Sequence, residues 1–494
     1  MQQTSDGRVR VSATDAANAA RCGRRIHLDR DVALGRIARP ERIDPTADLF
    51  AAKGIAHEAD VLAALEAAHG PAVRVPTAGG DPDRIAAAEK ATAEAMAAGA
   101  ALIYQAVFIG PIRRGSPDFL IRVDDDRSPT GWSYEPADAK LARRPAAEHL
   151  TQLGCYCLDV AAAQGLAPRS AHLIGGDGTT HTLPADDLTD DAAIASLRAW
   201  GIANIPAQTL EPTPSGMCRL CPWADACEDR MTETATLLAL RPHRSTATRL
   251  AAAGITTLTD LDANDGNPVP GVAAKTLTDL TARARQRLTS PDPTITLTDP
   301  TPVRDLPAPD PADLYVDFEG TPLGPDGNHL EYLLGVHHHD THLRFWGHDH
   351  DGEAAAFAGF VAHAAAVLAA NPGAHLYHYG TYEVTALRRL AAAHGHTTLT
   401  ETVIGRSVDL YATARSSLRS SHNRLGLKHL ERFYRDTERC TGVADGANSI
   451  VAYHQWSTNP DSRRDDTLAD IAAYNEDDCR SLRDLRSWLD RLAT

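Results

Sequence analysis

Between residues 291 and 312 the chain carries Pro291, Pro293, Pro300, Pro302, Pro307, Pro309 and Pro311, mixed with aspartate and threonine. Proline has no backbone N–H and a fixed φ, so neither a helix interior nor a central strand runs through such a stretch. The segment reads as a semi-extended linker, and a 494-residue chain divided there needs a hydrophobic core on each side. Beyond it an apolar strand opens at once, Leu314-Tyr315-Val316-Asp317-Phe318, and residues 313–494 alternate strand and helix patterns as an α/β domain does.

Before it, residues 236–290 read as short helices broken at Ala253-Gly254-Ile255 and Pro270-Gly271-Val272. This resembles paired helix-hairpin-helix units, whose turns present backbone N–H groups to a phosphate. A small helical spacer is the alternative. Residues 1–235 are mixed α/β. Arg84–Ala101 favours a helix, Tyr104–Ile112, Pro117–Val123 and Trp132–Ala142 read as strands, and His149–Ala163 has helical spacing.

Hydrophobic residues make up 43% and charged residues 23%, as in a globular chain. No apolar run is expected to reach the roughly 18–20 residues of a membrane span. The start, Met1-Gln2-Gln3-Thr4-Ser5-Asp6, lacks the basic and apolar regions of a secretory signal, so a cytoplasmic location is expected. The net charge of −16 excludes a broadly basic nucleic-acid binder and confines any such grip to local grooves.

Two carboxylate groupings stand out. In the first, Asp118 lies in the apolar stretch Ser116-Pro117-Asp118-Phe119-Leu120, and Asp138-Ala139-Lys140 follows in a strand. Residues i and i+2 of a strand share a face, so Asp138 and Lys140 project together and a neighbouring strand can add Asp118. Two carboxylates can hold Mg²⁺ or Mn²⁺ on a phosphate, and the lysine can orient water and stabilise developing negative charge. A solvated strand face is the bland alternative. His57, on an early helix, offers a further metal ligand, and Gln152 and Tyr156 share one helix face.

In the second, Asp317-Phe318-Glu319 ends a strand with both acids on one face. Tyr474 and Asp478 stand at i and i+4 of a helix, with Asp477 rotated away. Asp409 reads as structural or substrate-side. His337, His338, His339, His342, His348 and His350 suggest a metal tract, but two strands joined around Asp340-Thr341 would point alternate histidines apart.

The eight cysteines are unevenly spaced. Cys218-x-x-Cys221 and Cys227 form a cluster that suggests a metal, and Cys22 is the best fourth ligand. A Cys₄ zinc site and an iron–sulfur site both suit four thiolates. Cys155, Cys157, Cys440 and Cys479 read as small core residues.

The order His57, Asp118, Asp138-x-Lys140, Gln152-x-x-x-Tyr156 resembles the RecB-type PD-(D/E)xK nucleases. That resemblance implies a restriction-endonuclease-like fold in 1–235, metal binding by His57, Asp118 and Asp138, catalysis by Lys140, and a Gln152/Tyr156 helix beside the site and DNA. One distant and three clustered cysteines resemble the AddB-type nuclease modules, which implies a [4Fe–4S] cluster on Cys22, Cys218, Cys221 and Cys227. Asp317, Glu319, Tyr474 and Asp478 resemble the RNase H-like exonucleases of the DnaQ type, with four acids and a tyrosine. Their remaining acid matches Glu383 in His378-Tyr379-Gly380-Thr381-Tyr382-Glu383, where the family has aspartate. The resemblance implies an RNase H-like domain at 313–494 with Asp317, Glu319, Glu383 and Asp478 on two Mg²⁺ or Mn²⁺ ions.

The expected molecule is thus a multidomain α/β nuclease with two sites, hydrolysing DNA from ends or on single strands in repair, recombination or defence. A scaffold that binds nucleic acid with its C-terminal site inactive, and an RNA-processing nuclease, are the alternatives. No Gly-x-x-x-x-Gly-Lys-[Ser/Thr] loop occurs, so any helicase motor would be a separate protein.

Overall fold

The computed structural model describes all residues except 5, 42–43, 77–78, 206–209, 291, 325–326, 423, 437–438, 440–442, 444–445 and 460–464. Cys440 therefore lies outside the described residues. The chain forms two compact units, Met1–Thr234 and Ala235–Thr494.

The first unit is built on a six-stranded sheet. Its strands are β1 (Val73–Arg74), β2 (Leu102–Tyr104), β3 (Phe119–Asp124), β4 (Trp132–Lys140), β5 (Ser170–Gly175) and β6 (Thr180–Pro184), in spatial order β6-β5-β4-β3-β2-β1. β3 and β4 are antiparallel, and β5 lies parallel to β4. A parallel neighbour needs a crossover, which is supplied by helix α4 (Ala147–Gln164). Other helices of the unit are α1 (Ala13–Arg21), α2 (Pro45–His69), α3 (Pro82–Ala97) and α5 (Asp186–Asn204). α4 and α5 approach closely because Gly154 has no side chain: a Cβ there would lie 2.3 Å from the Leu188 carbonyl oxygen. Cys155 and Cys157 are buried in the same core as Leu153, Leu173 and Leu188. Asp118 does not sit inside a strand as expected; it immediately precedes β3, and the Gln105 N–H donates to its carbonyl at 2.7 Å.

The second unit opens with helices α6 (Arg244–Ala252), α7 (Leu258–Ala263) and α8 (Ala274–Thr289), packed around Leu250, Leu261, Leu277 and Leu280. Gly254 and Gly271 take left-handed backbone, with φ of +80° and +74°, at the two breaks read from the sequence. The proline-rich stretch departs from a free linker. Within it β7 (Ile295–Leu297) pairs antiparallel with β13 (Leu418–Ser420), and α9 (Thr301–Arg304) buries Val303 beside Leu410, Leu482 and Trp488. Pro300 and Pro302 fall at positions that tolerate a missing N–H, framing the start of α9.

A five-stranded sheet forms the centre of this unit: β8 (Leu314–Thr321), β9 (Leu330–His338), β10 (Thr341–Trp346), β11 (Leu376–His378) and β12 (Ser407–Asp409), in order β10-β9-β8-β11-β12. The first three strands are antiparallel neighbours, and β11 and β12 extend the sheet in parallel. Strand periodicity sorts β8 into two faces. Leu314, Val316 and Phe318 pack on helices α10 (His350–Ala370) and α11 (Tyr382–His394), in a core with Phe357, Phe360 and Leu387. Each such buried side chain stabilises the unit by about 1.5–3 kcal/mol. Tyr315, Asp317 and Glu319 fall on the opposite face, where the C-terminal helix α13 (Asp465–Ala493) lies.

α10 corrects the expectation about apolar runs, since its length and composition would suffice to cross a membrane. It instead contributes Phe357, Phe360, Val361, Ala364 and Leu368 to the core under the sheet.

Candidate functional site

The Asp317 and Glu319 carboxylates leave the same face of β8 and meet Asp478 from α13. Ligand oxygens of all three lie within 4.8 Å of one another, and among the described residues this is the group of acids, histidines or cysteines so arranged. Glu319 and Asp478 are buried, 6% exposed each. A β-bulge between Glu319 and Gly320 ends the regular pairing here; bulges of this kind re-aim a side chain. A Cβ on Gly320 would come within 2.3 Å of the Glu331 carboxylate, so the bare backbone there leaves room for that side chain.

Such an assembly is electrostatically uncomfortable without a cation. Burial, then the charges of Asp478, Glu319 and Glu383, hold the Asp317 carboxyl well above the ordinary carboxylate range. Burial and Asp478 push Glu319 up to about 8. Arg439 ion-pairs with Asp478 at 2.5 Å and also contacts Glu431. The Lys428 ammonium sits 4.4 Å from the centre of the Tyr474 ring. Tyr474 is buried, and burial with the Asp478, Glu319 and Asp317 charges keeps its hydroxyl protonated. It therefore acts as a donor beside the acids. The donor set, three clustered carboxylates of which Asp317 and Glu319 have raised proton affinity, is one that a divalent cation fits.

Glu383 lies outside that tight triad, in the first turn of α11. Burial raises its carboxyl to about 8, with Asp409 and Asp478 adding to the effect. Its Oε2 has no hydrogen-bond partner among the described residues. One Asp409 oxygen is engaged: Oδ1 accepts from the N–H groups of Tyr411 at 2.8 Å, Ala412 at 3.2 Å and Gly380 at 2.8 Å. It caps helix α12 (Leu410–Ser417) and pins the loop before Glu383. Asp477 points away from the triad and pairs with Arg435 at 2.8 Å.

The histidine tract disperses as alternation requires. His337 and His342 oppose each other across β9 and β10, His338 meets His363 edge to face, and His348 packs on Trp456.

In the first unit, Asp138 is 1% exposed and contacts Lys140 Nζ at 2.5 Å. The Ala139 N–H donates to Asp118 Oδ2 at 2.9 Å, which places Asp118 beside β4. Burial raises the Asp118 carboxyl, and the Asp138 charge raises it further. For Lys140, burial acts to lower the ammonium, but Asp138 and Asp118 outweigh it and the net shift is upward. Tyr156 is buried and feels both acids, whereas Gln152 faces outward and donates to Thr14 Oγ1 at 3.3 Å. His57 is turned to the Ile174 carbonyl, 3.3 Å from Nε2. Its neighbour Glu58, which the sequence reading passed over, accepts from Tyr104 at 2.8 Å and adds its charge to Asp118. Adjacent helix positions differ by about 100°, so a one-residue choice decides which group reaches the acids.

Cys22 precedes the helix Gly23–Ala33, and Cys218, Cys221 and Cys227 come from the segment Gly216–Glu233. Burial raises the Cys221 and Cys227 thiols; Cys22 and Cys218 act on the first, Cys22 and Cys221 on the second. The segment is also tied to the helix Gly23–Ala33 by Trp223 Nε1, which donates to Asp29 at 3.0 Å.

Residues 314–490 match the RNase_H_2 family model, of the RNase H superfamily. The second unit therefore carries an RNase H-like domain, and RNase H-like nucleases use divalent metals. No curated protein matches the chain.

Proposed function

We propose that this chain is a metal-dependent nuclease with two separate carboxylate sites, acting on DNA from ends or on single strands. The observation that carries the reading is the Asp317/Glu319/Asp478 triad on the RNase H-like sheet. Divalent cations bound there would polarise the scissile phosphate and favour in-line attack by water. Asp317, Glu319 and Asp478 would hold them, with Glu383 reaching in from α11. The Tyr474 hydroxyl would orient the attacking water, and Lys428 places positive charge beside it.

For the first unit we propose a RecB-type PD-(D/E)xK nuclease site. Asp118 and Asp138 would bind the cation, with His57 as the further ligand that family implies. Lys140 would stabilise charge on the phosphate, with Tyr156 and Gln152 toward the substrate. The Asp118–Asp138–Lys140 convergence supports this. Cys22, Cys218, Cys221 and Cys227 would hold a [4Fe–4S] cluster. A Cys₄ zinc site is the alternative that the same four thiolates would suit. Repair, recombination or defence in the cytoplasm, with a separate helicase, fits these parts.

Cleavage of matched end-labelled DNA and RNA strands, single and double, with Mg²⁺ or Mn²⁺ tests the reading. DNA cleavage should depend on Asp317 and Asp478 in one activity and on Lys140 in another. Absence of metal-dependent cleavage of either polymer would overturn it.

A further inference from the structure

Asn475 is fully buried on α13, one turn from Asp478, in a position no carboxylate chemistry requires. Its Nδ2 donates to both the Asp317 carbonyl and Asp317 Oδ2, each at 2.9 Å. The backbone carbonyl is an acceptor only, so the amide nitrogen is on that side and Oδ1 faces the other way. There Oδ1 lies 2.9 Å from His342 Nε2, which must therefore carry the proton and donate. His342 Nδ1 faces Glu476 Oε2 at 3.8 Å.

The sheet is shaped for this contact. Gly335 on β9 stands directly opposite Asp317, and a Cβ there would lie 1.6 Å from Asn475 Oδ1. The amide thus fills the space a side chain would take, and reaches through it from helix to β8 and β10. One Asp317 oxygen, Oδ2, is thereby committed to an N–H group.

We infer that Asn475 is a positioning residue, locked by His342 and admitted by Gly335, that fixes which Asp317 oxygen faces the metal. This rests on the reading of Asp317 as a metal ligand. A carboxylate free to rotate would meet a cation in several geometries. One held by an amide that cannot flip without losing the His342 bond meets it in one. Groups that orient metal ligands typically matter by about 10–100-fold in metal affinity or activity.

The test uses the full chain carrying Asp138→Ala, which silences the first carboxylate site, and reads Mn²⁺ binding by calorimetry beside cleavage. Asn475→Leu should weaken Mn²⁺ by about 10–100-fold and lower kcat, with KM for an oligonucleotide little changed. His342→Leu should move the same quantities in the same direction. His342→Gln keeps an N–H donor for Oδ1 and should restore parent-like binding, an outcome that mere packing would not produce. Gly335→Ala should resemble Asn475→Leu, because its methyl displaces the amide. If Asn475→Leu folds poorly, the His342 pair decides alone. Parent-like Mn²⁺ binding in Asn475→Leu and His342→Leu would overturn the inference while leaving the site reading intact. Indifference of Mn²⁺ binding to Asp317→Ala would overturn both.

Discussion

Glu319 illustrates how a nuclease-type site weakens the protein that carries it. Its carboxyl is raised from an ordinary 4.5 to about 8, and burial is the leading cause. Folded protein therefore holds a proton that the unfolded chain has already lost between these values. Stability of the metal-free unit should fall as pH rises through that window, because the native state binds more protons than the unfolded one. Glu383, also raised to about 8, adds to the same slope. Asp317→Asn removes one of the crowded charges, so it should raise the metal-free Tm by about 3 °C and flatten its pH dependence while abolishing cleavage at this site. Added Mn²⁺ should stabilise the parent more at about pH 8 than at about pH 6, since cation and proton compete for the same oxygens. Thermal melts across pH with and without Mn²⁺ check all three statements. The equivalent argument holds for Asp138→Ala in the first unit, which would leave Lys140 without its 2.5 Å partner. There the lost ion pair offsets the relieved repulsion, so activity should vanish with Tm shifting by under about 2 °C.

Strand periodicity made much of the second site legible at the scale of elements. Two acids two apart on β8, and a tyrosine and an acid four apart on α13, have one geometric meaning each, and the structure brings Asp317, Glu319 and Asp478 together. Position along the chain was equally readable for Asp138 and Lys140. The arm formed by Asn475 and His342 was not, because it depends on β10 lying beside β9 and on the gap at Gly335. Glu58 was missed for a local reason: it adjoins a histidine that fits a known pattern, and only helix phase separates them. The proline-rich stretch misled because prolines forbid central strands but not a short edge strand or the first turn of a helix. β7 and α9 use those two exceptions. A fragment 313–494 lacks both, exposing the Leu418 edge and leaving a hole where Val303, 2% exposed, fills the core. It should melt below a fragment beginning at residue 235, and Val303→Ala in the full chain should cost about 1–3 kcal/mol, measurable by denaturant unfolding. Gly154→Val tests the first unit in the same way: its side chain would be driven into the Leu188 carbonyl, and the resulting overpacking should destabilise that unit without touching the second.

The residues proposed for each site lie within one unit, which shapes what the whole chain should do. His57, Asp118, Asp138, Lys140 and Tyr156 belong to Met1–Thr234, and Asp317, Glu319, Glu383, Tyr474 and Asp478 to Ala235–Thr494. Two such sites on one chain of net charge −16 would need cations locally rather than a basic surface. Lys140→Ala should therefore remove one cleavage activity and Asp317→Ala the other. The double variant should retain neither, each loss being independent of the other. The cysteines add a separable control. Cys22 comes from the start of the first unit and Cys218, Cys221 and Cys227 from its end, so a cluster held by all four closes a loop of nearly the whole unit. Anaerobically purified protein should be brown and contain iron, and Cys22→Ser should lose the colour and lower the Tm of the first unit. Trp223 would still hold its 3.0 Å bond to Asp29, so the end of the unit should loosen rather than detach. The Asp317-dependent activity should survive that substitution unchanged, because no cysteine of the set lies in the second unit. Iron and zinc analysis beside the two cleavage assays decides the matter: a colourless protein with stoichiometric zinc would replace the cluster with a zinc staple, and loss of the Asp317-dependent activity on Cys22→Ser would end the independence of the two units.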